Sequence, residues 1–281
     1  MSALALGLIA AASWGLHDFC VRFISQKVPI TACLLTVLCT GLMFQTLLMI
    51  ATTGFASLPQ IAIAPVIYGG LAFLIANFGL YGAFQRGPVW LAAPLVALFS
   101  VFSMGIAVWQ GADVSAGQWV AVFVVLIGIS AIAGLSDDDS ADTRQMAVTA
   151  IYALICAAGF AATFTFGQAV TELTNGQMSA LSLRIIAIFA IVLVIAVGRL
   201  PYWPGRAALP VLAVMGLVDG IAIISVVSAG GLPDAQYAAV TTSMYGLPTI
   251  WLAATFLGER INAKQWIGCV VAFCAVGYLA L

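Results

Sequence analysis

Three ionisable side chains, His17, Asp18 and Arg22, interrupt an otherwise apolar run in the stretch WGLHDFCVR, from Trp14 to Arg22. An Asp or Arg at the centre of a membrane helix costs roughly 2.5 to 3.5 kcal/mol on insertion scales, so such groups face a bundle interior or a wet cavity. Trp14, Asp18 and Arg22 are spaced by four and share one helix face, which predicts that Asp18 reaches Arg22 one turn away. His17 lies beside that face. Histidine changes charge near neutral pH, which is what a proton-coupled step requires. The plainer reading is a structural ion pair near a helix end, with His17 bonded to a carbonyl or to a neighbouring helix.

Asp219 stands in the middle of another apolar run, GLVDGIAII, with no basic residue within a helical turn. A carboxyl so placed is either a protonated acid bonded to a neighbouring helix or a site for a solute amine or a proton. Gly216 and Gly220 flank it and let another backbone come close. Further polar groups recur at helical spacing: Asn77 with Tyr81, Thr163 near Gln168, and Tyr245 just ahead of Gly246 and Pro248, where a kink frees backbone carbonyls. The candidate solute-binding set is therefore Trp14, His17, Asp18, Asn77, Tyr81, Thr163, Gln168, Asp219 and Tyr245, with Trp109 as a further aromatic wall. The same groups can serve as glue between helices. Tyr202 and Trp203, beside Pro201 and Pro204, are read as markers of a membrane interface.

Enzyme chemistry finds no support, since HExxH, GxSxG and GxxxxGK[ST] are all missing. No cofactor is implied. A single histidine cannot supply a histidine-rich metal site, and the six cysteines contain no CxxC pair, so no metal is expected and the thiols are read as small hydrophobes. A net charge of −1 without a basic patch argues against nucleic acid as a partner.

The elements that must hold these groups are membrane helices. Of 281 residues, 64% are hydrophobic and only 7% charged, against about 25% charged in an average soluble domain. The apolar runs are continuous rather than alternating, which excludes a barrel and predicts an all-α integral membrane protein with membrane lipid around it. Gly, Pro and charge divide the chain into about ten spans: 3–25, 30–52, 62–84, 90–109, 115–135, 146–170, 177–198, 208–229, 236–257 and 264–281. The first has no positive n-region and reads as a retained helix.

The most polar connection, SDDDSADTR from Ser136 to Arg144, falls near the middle. It divides the chain into a five-helix repeat at 1–135, a linker at 136–145 and a second repeat at 146–281. Gly111 and Gln118-Trp119 meet Gly258 and Gln265-Trp266 at one offset, 258 − 111 = 265 − 118 = 147. A nearby offset, 155 − 9 = 146, lays Ile9-Ala10-Ala11-Ala12 on Ile155-Cys156-Ala157-Ala158. With an odd number of spans in each half, the second repeat must enter the membrane in the opposite sense, an inverted-repeat plan that recurs in secondary transporters.

The closing stretch LGERINAKQWIGCVVAFCAVG, from Leu257 to Gly277, resembles the signature of the drug/metabolite transporter superfamily in its EamA-type, ten-helix branch. Leu257, Gly258, Glu259, Gln265, Gly268 and Gly277 carry the match, and Trp14-Gly15 fits it too. The first repeat departs from it, with Gly111-Ala112 where such proteins often have Gly-Glu, and Pro94 and Pro248 are displaced from the usual helix-breaking position. Glu259, next to Arg260, is read as helix termination with local pairing. The resemblance implies alternating-access export of amino acids or related small polar metabolites from a bacterial inner (plasma) membrane. The proton is the candidate coupling ion, and the protein a monomer or homodimer. The alternatives are an uptake or exchange carrier for another solute, or a non-transporting membrane scaffold. Eight of the nine basic residues follow odd-numbered spans, which by the positive-inside rule leaves both termini outside, whereas the resemblance implies cytoplasmic termini.

Overall fold

The computed structural model describes residues 1–52, 54–111, 113–134, 143–229, 232 and 235–279. Most of the predicted linker at 136–145 thus lies outside the described residues. Twelve helices are described: α1 (Ala3–Ile24), α2 (Ile30–Ala51), α3 (Ile63–Arg86), α4 (Val89–Val96), α5 (Phe99–Trp109), α6 (Ala116–Gly134), α7 (Thr143–Leu173), α8 (Gly176–Gly198), α9 (Leu209–Ala229), α10 (Ala235–Ser243), α11 (Gly246–Phe256) and α12 (Ala263–Leu279). Among the described residues there are no strands. Seven segments are long and apolar enough to cross a membrane, one of them formed by α4 and α5 together, and α6 and α12 carry shorter apolar stretches. The chain is a multi-pass integral membrane protein.

Two predicted spans are each built from two helices. Pro94 has no N–H to return to the carbonyl of Trp90, and α4 ends within a turn of it. Leu98 then donates to Leu95 rather than to the residue four back. The ninth span breaks at Met244 and Tyr245, just before Pro248, and three-residue bonds, such as Leu247 N–H to the Met244 carbonyl, take over. The freed carbonyls are thereby largely re-satisfied within the turn, so the kink positions side chains more than it opens backbone.

Burial is inverted relative to a soluble protein in one respect. Phe189, Leu193 and Val197 form an exposed apolar stripe along α8, whereas Arg184 on the same helix is 1% exposed. Lipid tails accept the stripe, and the charge is kept inside. The packing is paired: α3 lies along α7 and α8, α1 along α9, α10 and α11, α2 against α8 and α9, and α6 against α12. This arrangement packs α1, α2, α3, α8 and α9 against one another, with the α10–α11 break beside α1.

Candidate functional site

Asp219, halfway along α9, joins two other helices. Its Oδ1 accepts a hydrogen bond from Trp14 Nε1 on α1 at 3.0 Å, and its Oδ2 is ion-paired with Arg184 Nη2 on α8. The Asp219 side chain is 15% exposed and that of Arg184 only 1%, so the guanidinium is the more deeply buried partner. One turn further along α1, His17 Nδ1 lies 3.0 Å from Asp18 Oδ1, a hydrogen-bonded pair with both side chains buried. Aromatic rings enclose these groups. Trp14 meets Tyr245 edge-on at 6.3 Å between ring centres, and His17 meets Tyr81 of α3 in the same way at 6.5 Å.

Two expected pairings are corrected. Arg22 does not hold Asp18: its side chain extends past the end of α1 to partners on other elements, and the adjacent His17 is the partner that reaches Asp18. Asp219 is not without a basic partner, because Arg184, 35 positions away in sequence, is brought to it by the packing of α8 beside α9. Arg184 was absent from the candidate set. The one signal for it was its position as the basic residue inside a span rather than at a connection.

The remaining candidates divide. Trp14, His17, Asp18, Tyr81, Asp219 and Tyr245 are brought together by the contacts above. Asn77 is buried but donates to the Phe73 carbonyl at 2.8 Å, and Thr163 donates to the Gly159 carbonyl at 2.8 Å, each within its own helix. Gln168 is exposed. Trp109 is 87% exposed, and Tyr202 and Trp203 are exposed as well.

A second cluster lies at the end of the bundle where α1, α3 and α11 finish. Gly258 turns the chain out of α11 in the left-handed region, φ +67°, which a side chain would strain. Glu259 is thereby aimed back at the bundle. Its Oε1 accepts from Arg22 Nε at 3.1 Å, and its Oε2 accepts from the Val89 N–H, at the first turn of α4, at 2.7 Å. Arg22 Nη1 also donates to the Phe84 carbonyl at 2.9 Å. Gln26 and Gln85 cross-connect the same segments, donating to the Gln85 and Ser25 carbonyls respectively. Burial pushes the Glu259 carboxyl above its ordinary value, outweighing the pull of Arg22 and of the backbone N–H groups. Glu259 thus binds across the bundle rather than pairing locally with Arg260.

The EamA-like transporter family model matches residues 147–281. A solved crystal structure of a protein, 14% identical in sequence, superposes with a TM-score of 0.67 over 99% of this chain and 96% of its own. At that identity the likeness speaks for the fold. No curated protein sequence matches the chain.

Proposed function

From residues 147–281, which belong to the EamA-like transporter family, we propose that the whole chain is a secondary transporter that exports a small polar metabolite, an amino acid or a related compound, by alternating access. The observation that carries this reading is the Trp14–Asp219–Arg184 group with its neighbour His17–Asp18. Charged and hydrogen-bonding groups converge there from helices remote in sequence, midway along an apolar bundle. Transporter sites built at the meeting of repeats have this character.

The helix pairings support an internal two-fold repeat, which an odd number of spans in each half would make an inverted one. Exchanging α1 with α7, α2 with α8, α3 with α9, α4–α5 with α10–α11 and α6 with α12 turns each major packing into another that is present: α1 on α9 becomes α7 on α3, and α2 on α9 becomes α8 on α3. Alternating access is supported by an asymmetry between the two ends. The Arg22–Glu259 fastening has no chemical counterpart at the equivalent repeat positions, where 22 + 146 = 168 is Gln168 and 259 − 147 = 112 is Ala112.

Solute counterflow in proteoliposomes tests the reading, with amino acids and a total metabolite extract offered on both sides. Exchange of a polar solute supports it. A scaffold gives none, and an enzyme returns a changed product.

A further inference from the structure

Arg184 has more donors than the protein uses. A guanidinium offers five N–H groups in a planar fork, and this one meets Asp219 through Nη2 alone. Nε and Nη1 are buried and have no acceptor among the described residues. Asp219 is itself divided, since its second oxygen is turned to Trp14 rather than closing a two-point pair with the guanidinium. Gln45, one turn beyond Gly41 on α2, is also buried with its carbonyl oxygen unmet. Unsatisfied buried groups of this kind call for an explanation, the more so when one is charged.

A glycine on α2 lets the fork reach this depth. Nη1 lies against Gly41, where an added Cβ would overlap it, so α2 has a glycine at the place the guanidinium crosses. Phe73 of α3 has its ring centre 6.0 Å from Cζ. If Arg184 served only to neutralise Asp219, a point charge would suffice, and a lysine provides one. A planar fork with free tines fits a planar, two-oxygen acceptor.

We infer that Arg184 takes the carboxylate of the transported solute, which replaces Asp219 on the guanidinium, and that the solute is a zwitterion whose ammonium group is received by the released Asp219. This rests on the transport reading above and assigns Arg184 and Asp219 to the two charged ends of its solute. Charge counting favours a zwitterion over a simple anion. Asp18 and Asp219 already face Arg184 and His17 in this interior, and a further uncompensated negative charge would be expensive there. A zwitterion adds none, and it offers a positive group to the carboxylate it displaces.

The test is counterflow with matched trios: leucine, 3-methylbutylamine and 4-methylpentanoate, and likewise phenylalanine, phenethylamine and 3-phenylpropionate. The parent should exchange the amino acid of at least one trio about tenfold better than either partner, the worth of one charge-assisted hydrogen bond. Two variants preserve the charges. Arg184→Lys keeps a cation beside Asp219 but has no fork, and Gly41→Ala pushes the fork out of position. Each should raise the KM for the amino acid about tenfold and collapse the ratio between amino acid and amine, read on the fraction that purifies folded and still exchanges the amino acid at saturation. A parent that prefers the amine or the acid, or variants that keep the parental ratio, overturns the inference while the transport reading stands. So does exchange from a metabolite extract confined to solutes without a carboxylate. If nothing in the trios or the extract is exchanged, the transport reading falls and this inference with it.

Discussion

Arg22, in the last turn of α1, donates its Nε–H to Glu259 across 3.1 Å and so joins residues 237 positions apart. Glu259 in turn accepts from Val89 at the start of α4, and Arg22 donates to Phe84 at the end of α3. A single carboxylate therefore links α1, the α3–α4 connection and the α11–α12 connection at one end of the bundle. Side-chain exposures of 22% and 11% leave the pair partly shielded from water, which strengthens it relative to a surface pair.

Opening that end should become easier when the link is cut. Ser25, which closes α1 three residues after Arg22, is 1% exposed and reports on access. In a background without the six native cysteines, Ser25→Cys should react with a polar maleimide about tenfold faster in Glu259→Ala or Arg22→Ala, which remove the hydrogen bonds themselves, a change of about 1.4 kcal/mol. The double variant should be no faster than either single one, because one interaction is being removed. Additive effects would show that the two residues act separately.

The pH response of that link has a definite sign. Glu259 is raised above its ordinary 4.5 when buried against the bundle, and on opening it would return toward that value. The closed end therefore binds the proton more tightly. Its extra stability is fully present below about 4.5 and is lost as pH rises through the raised value. Ser25→Cys labelling should accelerate with pH beyond the intrinsic reactivity of the thiol, measured on a free peptide, and Glu259→Gln should remove the excess.

Periodicity and punctuation made the helices legible, because a bilayer demands long apolar runs and Gly, Pro and charge end them. They did not show that the fourth and ninth spans are each two helices. Pro94 and Pro248 were visible, but a proline kinks or breaks a helix according to what packs against it. Among the site residues, Trp14, His17, Asp18, Tyr81, Asp219 and Tyr245 stood out as costly or polar groups in apolar runs. Their partners did not, since spacing by four speaks only for one helix. Asp18 and Arg22 satisfy that spacing, yet Arg22 turns to Glu259. Arg184 meets Asp219 only because α8 and α9 pack side by side.

The spread of the basic residues predicts an orientation. Arg22, Lys27, Arg86, Arg144, Arg199, Arg206, Arg260 and Lys264 all fall at connections on the end that carries the Arg22–Glu259 link, and the chain termini belong to the other end. The positive-inside rule then expects the linked end in the cytoplasm. A reporter that is active only in the cytoplasm, fused after Leu281, should be silent, and one active only outside should be bright. The reverse pattern would mean that another determinant overrides the basic residues.

Removing the charge of Asp219 should be costly for the fold. Asp219→Asn leaves Arg184 buried with no counter-charge, and breaking a buried pair from one side costs about 3 to 5 kcal/mol. The double change Arg184→Gln with Asp219→Asn removes both charges and should recover much of that loss. Thermal unfolding of the purified proteins in one detergent checks the order: parent, then double variant, then Asp219→Asn. If Asp219→Asn melts with the parent, the pair contributes little and Arg184 is balanced elsewhere.

The proton, if one is carried, is expected on His17 and Asp18 rather than on Asp219. Arg184 and Trp14 occupy both oxygens of Asp219, whereas the hydrogen-bond partner of Asp18 among the described residues is His17, a side-chain type that can exchange a proton. The titratable and charged groups around that pair are Cys20 on α1, Tyr81 from α3, Cys156 from α7, Tyr245 from the α10–α11 break, Asp219 from α9 and, paired with it, Arg184 from α8. A proton moves an equilibrium only if it is bound differently in the two open states, and a pair exposed to one side and then the other meets that condition. Asp18→Asn should therefore abolish uphill transport driven by a pH gradient while downhill exchange continues, and His17→Gln should shift the pH optimum with a smaller loss. Paired uptake in proteoliposomes, with and without an imposed gradient, checks both variants against the parent. An Asp18→Asn protein that still responds to the gradient would return the proton to Asp219, and a parent that ignores the gradient would be a facilitator.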